Sequence, residues 1–256
     1  MEKKKTLIQS LDRALDILEL VRDKDDSVRA SDIADKLGLG MATAHNIIRS
    51  LYQRGYLTQD DNSRYLLGPE CFKLYKRASS DFDELRWVVN APVAELADKT
   101  GDTTFFGCEY FGSLYCVSLS VGGGQLVVIN TQEWLDQLHC TASGKIIIAR
   151  HGVEWFTRLC KRKKPPRLTD KTVTTPEAMA AEIDAIRLRG YALCIGECHE
   201  GIAALGIGVY DANGKFIGSL GQSFPSFYLE SGKIIPAERA ALLQKYADKI
   251  SHEINA

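Results

Sequence analysis

The clearest periodic pattern lies between residues 30 and 60, where apolar positions predict two short amphipathic helices. The first helix has an inward set comprising Ile33, Ala34 and Leu37, and it ends at Gly38, which suits a tight turn. In the second helix the apolar residues recur at the helical period and predict one buried stripe, comprising Ala44, Ile47, Ile48, Leu51 and Tyr52. Two short helices joined by a glycine turn are typical of a helix-turn-helix.

A small hairpin follows this helix pair. Residues 56–58 alternate as a strand, residues 60–63 form a turn, and residues 64–67 return as the second strand. Arg64 and Tyr65 therefore lie near the tip of the hairpin. With the two helices, the hairpin predicts a winged helix-turn-helix.

The second helix also has a polar face that suits nucleic acid. The residues off its apolar stripe include Thr43, His45, Asn46, Arg49 and Ser50. Most of these types donate to phosphate oxygens or to base edges in a major groove. No acidic residue lies between Gly38 and Gln59, so this segment approaches a polyanion without repulsion. The alternative is a plain helical hairpin that packs on a larger domain.

Three further helices are predicted before and after this module in the sequence. One is predicted over residues 10–21, with Ser10 as its N-cap and a buried stripe of Leu11, Ala14, Leu15 and Leu18. A second covers residues 69–80 and is interpreted as a linker. A third begins near Asp81 and runs to Gly101, with Pro92 expected to kink or restart it.

From residue 102 onward the pattern changes to strands with interspersed helices. The predicted strands are 103–110, 114–120, 126–130, 191–195, 202–210 and 215–223, and the predicted helices begin near 141 or span 155–161, 176–189 and 236–254. Gly112-Ser113 and residues 122–124 are expected turns; the triple glycine lacks the lysine of a phosphate-binding loop. This succession predicts an α+β sheet domain.

Composition sets the broad class. The 256 residues are 45% hydrophobic and 25% charged with a net charge of −1, which is ordinary for a globular protein. The sequence has no apolar run of membrane-spanning length and no secretory signal pattern, so we expect no membrane association and a cytoplasmic location. The basic run at residues 161–164 with Pro165 and Pro166 is interpreted as a solvated surface loop, with a nucleic-acid patch as the weaker alternative.

Seven cysteines form an odd set, which favours reduced thiols over a disulfide framework. Cys194, Cys198 and His199 are an alternative zinc site, completed by Cys140 or His139. No second paired ligand motif accompanies them, and we expect no metal and no cofactor.

An enzyme is the rival class of protein, and three features bear on it. His139 and Cys140 are adjacent, and strand neighbours point to opposite faces. Cys194 and His199 lack a local signature that pairs thiol with base. Ser223 lies in no nucleophile elbow, so the sequence predicts no catalytic residue. A protein-interaction module is a third class of protein, but it does not explain the polar face of the second helix.

The chain resembles the IclR family of bacterial transcription factors over nearly its whole length. The resemblance rests on SLDRALDILELV, LGLGMATAHNIIRSLYQRGYL, RYLLG, LHCTASGK and the block from GYAL to GVYDANG, in the family's order and spacing. It implies a DNA-binding domain at residues 1–68, a helical linker at 69–80 and a GAF-like, mixed α/β effector-binding domain at 81–256. It further implies a double-stranded DNA operator, a homodimer or tetramer, and a small-molecule effector that shifts the placement of the DNA-binding domains.

The recognition helix departs from the family's pattern. Many members carry proline, lysine and serine ahead of the threonine and arginine after the histidine, whereas this chain has Gly40, Met41, Ala42 and Asn46. The resemblance therefore implies a different operator sequence, with two phosphate or base contacts missing.

The resemblance also implies an effector pocket. Some members of the family bind small acids in this pocket. The positions of this chain that match their pocket residues are Thr141, Ala142, Gly144, Cys194, Ala204, Gly221 and Ser223. Cys194 replaces an acidic residue, Ala204 a cysteine and Gly221 a serine. These changes imply fewer hydrogen bonds and more apolar room, which favours a larger organic acid or an aromatic metabolite. The alternative for Cys194 and Ala204 is an ordinary place in the core.

Overall fold

The computed structural model describes residues 8–24, 26–123 and 137–254. The chain divides into two compact units, Met1–Asp81 and Phe82–Ala256. The strand predicted at 126–130 and Gly124 of the triple glycine lie outside the described residues.

The N-terminal unit is a winged helix-turn-helix. Its elements are α1 (Gln9–Arg22), α2 (Ala30–Lys36), α3 (Met41–Gln53), β1 (Leu57–Gln59), β2 (Tyr65–Leu67) and α4 (Pro69–Ser79). Ile33, Ala44 and Ile48 are buried in its core, as the periodicity predicts. Gly38 takes a φ of 60° between α2 and α3, a conformation that glycine adopts without strain.

Three sequence predictions for this unit are wrong. Leu11 and Leu15 of α1 are 55% and 49% exposed, whereas Ile17 and Val21 are the buried residues of that helix. Helix α1 is apolar on two faces, and periodicity alone does not say which face meets the core. Ser10 is not the N-cap, because the helix already begins at Gln9. Tyr52, at the end of the α3 stripe, is 47% exposed.

The C-terminal unit is an antiparallel sheet with helices on both faces. Its elements are α5 (Asp83–Thr100), β3 (Thr103–Tyr110), β4 (Ser113–Ser120), α6 (Ala142–His151), α7 (Val153–Arg162), α8 (Pro176–Arg189), β5 (Ala192–Ile195), β6 (Ile202–Tyr210), β7 (Phe216–Pro225), α9 (Phe227–Glu230) and α10 (Pro236–Ile254). The described strands pair in the order β4-β3-β7-β6-β5. Helices α5 and α10 pack on one face, and α6 to α8 on the other. The α+β class is therefore confirmed.

Several element boundaries differ from the prediction. A 3-10 turn at Ser80–Phe82 precedes α5, so this helix begins at Asp83 rather than at Asp81, and it continues through Pro92 without interruption. The turn between β3 and β4 is Phe111-Gly112 rather than Gly112-Ser113. The short helix α9 was not predicted, because four residues carry too little periodicity to detect.

A buried polar network fixes the strands that carry the candidate site. Arg239 of α10 donates through Nη1 to Asp102 Oδ2 at 2.5 Å and to Gln222 Oε1 at 2.8 Å. Gln222 Nε2 in turn donates to Thr104 Oγ1 at 2.8 Å. These bonds tie α10 to β3 and β7 on the sheet face opposite α6.

Candidate functional site

The polar face of α3 is the first candidate surface. His45, Asn46, Arg49 and Ser50 are exposed, while Thr43 is half-buried. Ser50 Oγ donates to the Asn46 carbonyl at 3.0 Å, so its hydroxyl hydrogen is engaged within the helix. The helix thus presents donors and one fixed positive charge on the side opposite its core-facing residues.

The wing is built around one carboxylate. Asp60 Oδ1 accepts from the backbone N–H groups of Asn62 at 2.9 Å and Arg64 at 2.8 Å, and Oδ2 accepts from Ser27 Oγ at 2.6 Å. The Ser27 hydroxyl, followed by the Arg64 amide, lowers the pKa of Asp60. Because Ser27 precedes α2, this carboxylate ties the wing turn to the helix pair.

The two predicted wing contacts differ in setting. Arg64 is half-buried, and its Nε has no hydrogen-bond partner among the described residues. Tyr65 exchanges backbone hydrogen bonds with Val28 at 2.7 and 2.9 Å, and its side chain packs on the core. Arg64 therefore has donors to offer a phosphate, and the contacts of Tyr65 hold the wing in place beside it.

An apolar groove lies between α1, α3 and α4. Its volume is about 770 Å³, and its apolar lining residues include Leu11, Leu15, Leu18, Ile47, Leu51 and Leu74. Leu74 is 58% exposed, like the two α1 leucines named above. Asn46 and Ser50 line the same groove, at its polar side. A groove with several exposed leucines is more apolar than most of the surface of a monomeric protein.

The candidate effector residues come together where the sheet meets α6. Cys194, Ala204, Ser223 and Thr103 are consecutive cross-strand partners on β5, β6, β7 and β3, so their side chains share one face. Ala142 at the start of α6 packs in one cluster with Cys194 and Ala204.

A side-chain cap and a close contact between two backbone segments fix the first turn of α6. Thr141 Oγ1 accepts from the Gly144 amide at 3.2 Å and donates to the Gln137 carbonyl at 3.1 Å. A Cβ on Gly144 would lie 2.1 Å from the Leu138 carbonyl oxygen, so only glycine fits. The remaining free amides of this turn make a helix N-terminus suited to an anion.

Three buried hydroxyls at this site have no hydrogen-bond partner among the described residues: Thr103, Ser143 and Ser223. All three side chains are less than 10% exposed, at 2%, 0% and 5%. An unsatisfied buried hydroxyl is unfavourable, and a bound ligand is one way to satisfy it. Thr103 and Ser143 were not predicted from the sequence; Ser143 stands inside the TASGK motif, and only the strand register reveals Thr103.

The expectation of extra apolar room at Gly221 is wrong. A Cβ on Gly221 would lie 2.4 Å from Cε2 of Phe105, which is its cross-strand partner on β3. The Phe105 ring therefore occupies the space that a serine side chain would take. Gly221 and Phe105 form a packed wall rather than a widened pocket.

Lys145 is fully buried beneath the first turn of α6. Its Nζ lies 2.5 Å from Glu197 Oε1 and 3.1 Å from Glu182 Oε2. Burial alone would lower the pKa of Lys145, but Cys194 and the two carboxylates raise it overall, which keeps the ammonium charged. These acids neutralise the ammonium, so the α6 amides and the hydroxyls remain as the donors for a ligand.

The zinc and thiol alternatives find no support in the part of the chain that is described. No group of three or more histidine, cysteine, aspartate or glutamate residues there has a metal-binding arrangement. Cys198 Sγ donates to Gln137 Oε1 at 2.8 Å, and the contact with Cys198, followed by burial, raises the pKa of the Cys140 thiol. His139 Nε2 lies 2.9 Å from the Pro166 carbonyl oxygen and donates to it. Over the described ranges, no helix has the length and apolar character needed to cross a bilayer.

A winged helix-turn-helix with an exposed polar recognition helix, joined to a separate sheet domain, defines a DNA-binding transcriptional regulator. The model of the IclR helix-turn-helix domain matches residues 10–61, and that of the bacterial transcriptional regulator IclR C-terminal domain matches residues 81–252. The chain belongs to the IclR family of bacterial transcriptional regulators, whose members are not enzymes.

Relatives agree with this membership, and a solved structure shares the fold. The chain is 32% identical over 251 residues to the glycerol operon regulatory protein of Streptomyces coelicolor, covering 97% of each chain. It is 27% identical to the regulator XynR of Escherichia coli, covering 85% of this chain and 86% of XynR. An IclR homologue of Microbacterium hydrocarbonoxydans, solved with 4-hydroxybenzoate, shares the fold with a TM-score of 0.75 at 20% identity, covering 96% of this chain and 99% of that chain.

Proposed function

We propose that the chain reads its operator through Thr43, His45, Asn46, Arg49 and Ser50 of α3, supported by Arg64 and Tyr65 of the wing. The supporting observation is the exposed polar face of α3, whose segment carries no acidic residue. We assign residues 1–68 to DNA binding, 69–80 to the linker and 81–256 to effector binding. Because the proposed operator lies on the chromosome, we assign the protein to the cytoplasm.

Footprinting on the DNA upstream of its own gene tests this assignment. Arg49→Ala and Arg64→Ala should weaken binding and reduce its salt dependence, because each removes one phosphate contact. Asn46→Ala should change base preference at one position of each half-site. Arg187→Ala on α8 is the matched control and should leave binding unchanged. Unchanged affinity in all three test variants would overturn the assignment.

We further propose that a second copy of this chain covers the exposed leucines of the groove between α1, α3 and α4, while Asn46 and Ser50 of the same groove remain available to DNA. One recognition helix reads few base pairs, and a two-fold dimer doubles that contact over half-sites about one helical turn apart, or a multiple of it. Leu11→Glu should shift the full chain to monomer in light scattering. Leu188→Glu, at a leucine that is 91% exposed on α8, should leave the dimer intact. The same mass for wild type and both variants would contradict this interface.

We infer that the effector is an organic acid larger than pyruvate or an aromatic acid, bound at Thr141, Ala142, Gly144, Cys194, Ala204, Gly221 and Ser223. The unpartnered hydroxyls beside the α6 N-terminus support this, since both favour an oxygen-rich anion. The effector acts by binding one arrangement of the DNA-binding domains better than another.

A thermal-shift screen of 2-oxo acids, sugar acids and aromatic acids tests the effector proposal. A true effector should raise the melting temperature of the full chain, and Ser223→Ala should remove that shift. Ser219→Ala provides a matched control on the same strand. A shift that persists in Ser223→Ala would contradict the site, while strong stabilisation by glyoxylate or pyruvate would contradict the larger ligand class.

A further inference from the structure

A cavity of about 270 Å³ lies between the tip of the β3–β4 hairpin, helix α7 and residues 162–166. Its apolar wall comprises Phe111, Leu138, Phe156 and Leu159, and residues 162–164 add a basic rim. None of the described residues that line this cavity is acidic. The described lining contains no residue of the DNA-recognition surface and none of the candidate effector site.

The hairpin turn beside this cavity has an unusual sequence. Tyr110 pairs with Ser113, which leaves Phe111 and Gly112 as a two-residue turn with φ values of 48° and 84°. Such turns strongly favour Asn-Gly, and a bulky residue at positive φ is strained. Phe111 is nevertheless 83% exposed. Its ring meets that of Tyr110 edge-on at 4.8 Å and leaves an aromatic surface at the cavity.

The basic rim is only partly accounted for by helix stability. Lys161 and Arg162 lie in the last turn of α7, where the helix dipole favours cations. Lys164 lies beyond the C-cap at position 163 and gains nothing from that dipole. Lys164 and Arg162 line the cavity, whereas Lys161 does not.

The loop that carries this rim is fixed to the wall of the cavity. The buried imidazole of His139 donates to the Pro166 carbonyl oxygen, and burial lowers the pKa of His139, so the ring is neutral at pH 7. The turn itself rests on α7, because a Cβ on Gly112 would lie 3.0 Å from Leu159 Cδ2. Residues 161–164 are exposed, as a solvated loop requires, but the loop they open is anchored at Pro166. An anchored loop with cations above an apolar wall is a preformed site.

We propose that this cavity is a second small-molecule site, which binds an aromatic compound carrying one anionic group. Its volume accommodates about nine water-sized groups, which suits a ligand of about ten non-hydrogen atoms. The ring contacts Phe111, Phe156 and Leu159. The anion pairs with Arg162 and Lys164 at the rim, where both charges remain near solvent.

Fluorine NMR with 4-fluorophenyl phosphate on the full chain tests this proposal. Lys164→Glu should weaken binding about tenfold, as expected when one exposed charge beside an anion is reversed. Lys161→Glu makes the same charge change on the same run and should leave the affinity unchanged. Phe111→Asn suits the turn, so the protein should fold at least as well, yet it should bind the probe several-fold more weakly.

Two comparisons distinguish this site from the proposed effector site and from unspecific attraction. Ser223→Ala, which acts on the proposed effector site, should leave binding of 4-fluorophenyl phosphate unchanged. Neither 4-fluorophenol nor inorganic phosphate should displace the probe at equal concentration. An equal loss of affinity for the probe in Lys161→Glu and Lys164→Glu would mean that the basic run attracts the anion unspecifically, and it would overturn the proposal. Lys164→Glu could instead bind the probe as tightly as the wild type and bind the operator more weakly. That result would also overturn the proposal and would assign the rim to DNA binding.

Discussion

Thr103 and Ser223 lie directly opposite each other on antiparallel strands β3 and β7, and neither buried hydroxyl has a hydrogen-bond partner among the described residues. Leaving a buried hydroxyl unsatisfied costs about 1–3 kcal/mol. Two such groups side by side reduce the stability of the unliganded protein. A ligand oxygen that accepts from both would recover this free energy.

Ser223→Ala should therefore leave the unliganded protein as stable as the wild type, or more stable. The substitution removes an unsatisfied polar group without opening a large cavity. Urea unfolding of the full chain measures this directly. Ser219→Ala, four residues earlier on the same strand face, should behave alike without ligand but should retain the ligand-induced shift. A clear loss of stability in Ser223→Ala would show a structural hydroxyl instead.

Gly221→Ser should destabilise the protein by about 1–3 kcal/mol, because its side chain overlaps the Phe105 ring. In a Phe105→Leu background the added cost of the serine should be much smaller, since the ring edge is gone. Urea unfolding of the four proteins gives the coupling free energy. Additive effects would mean that Gly221 and Phe105 do not share this space.

Lys145→Met should destabilise the fold by about 3–5 kcal/mol, because it leaves the Glu197 carboxylate buried without its cation. Lys249→Met is the matched control, since Lys249 pairs with Glu95 in solvent. That substitution should have little effect on unfolding in urea. Similar losses in the two variants would contradict the distinction between the buried and the exposed pair.

The wing should loosen at low pH. The Ser27 hydroxyl and the Arg64 amide hold the pKa of Asp60 below its ordinary value of 3.8, so its stabilisation is present above that value. It is lost as the pH falls through the lowered pKa. The protection factor of the Arg64 amide, which corrects for the slower intrinsic exchange in acid, should therefore fall at low pH, and Asp60→Asn should already show a lower protection factor at pH 7. Equal protection in wild type and Asp60→Asn would contradict the role of the carboxylate.

The sequence predicted α3 well because one stripe of small and branched residues meets a single core. The prediction of the buried face of α1 was wrong. Leu11 and Leu15 are as apolar as the buried Ile17 and Val21, so only the tertiary packing decides which face lies inward. Periodicity also cannot show an unsatisfied hydroxyl, so Thr103 became visible only through its register with β7. These errors fall where the physical cause is a contact between distant segments.

The basic loop illustrates the same limit. Its composition predicted exposure, and the residues at 161–164 are indeed exposed. Sequence gives no sign that His139 anchors Pro166, or that Phe111 occupies a turn position that favours asparagine. The cavity between these segments depends on pairs that are 27 or more residues apart.

Operator affinity measured with and without a stabilising metabolite tests the central claim most directly. Anisotropy titrations of the full chain on its own upstream DNA should show a change of about 5- to 150-fold when the metabolite is added. The same change should be absent in Ser223→Ala, whose affinity for DNA without metabolite should equal that of the wild type. A metabolite that binds through Ser223 yet leaves operator affinity unchanged would contradict the account.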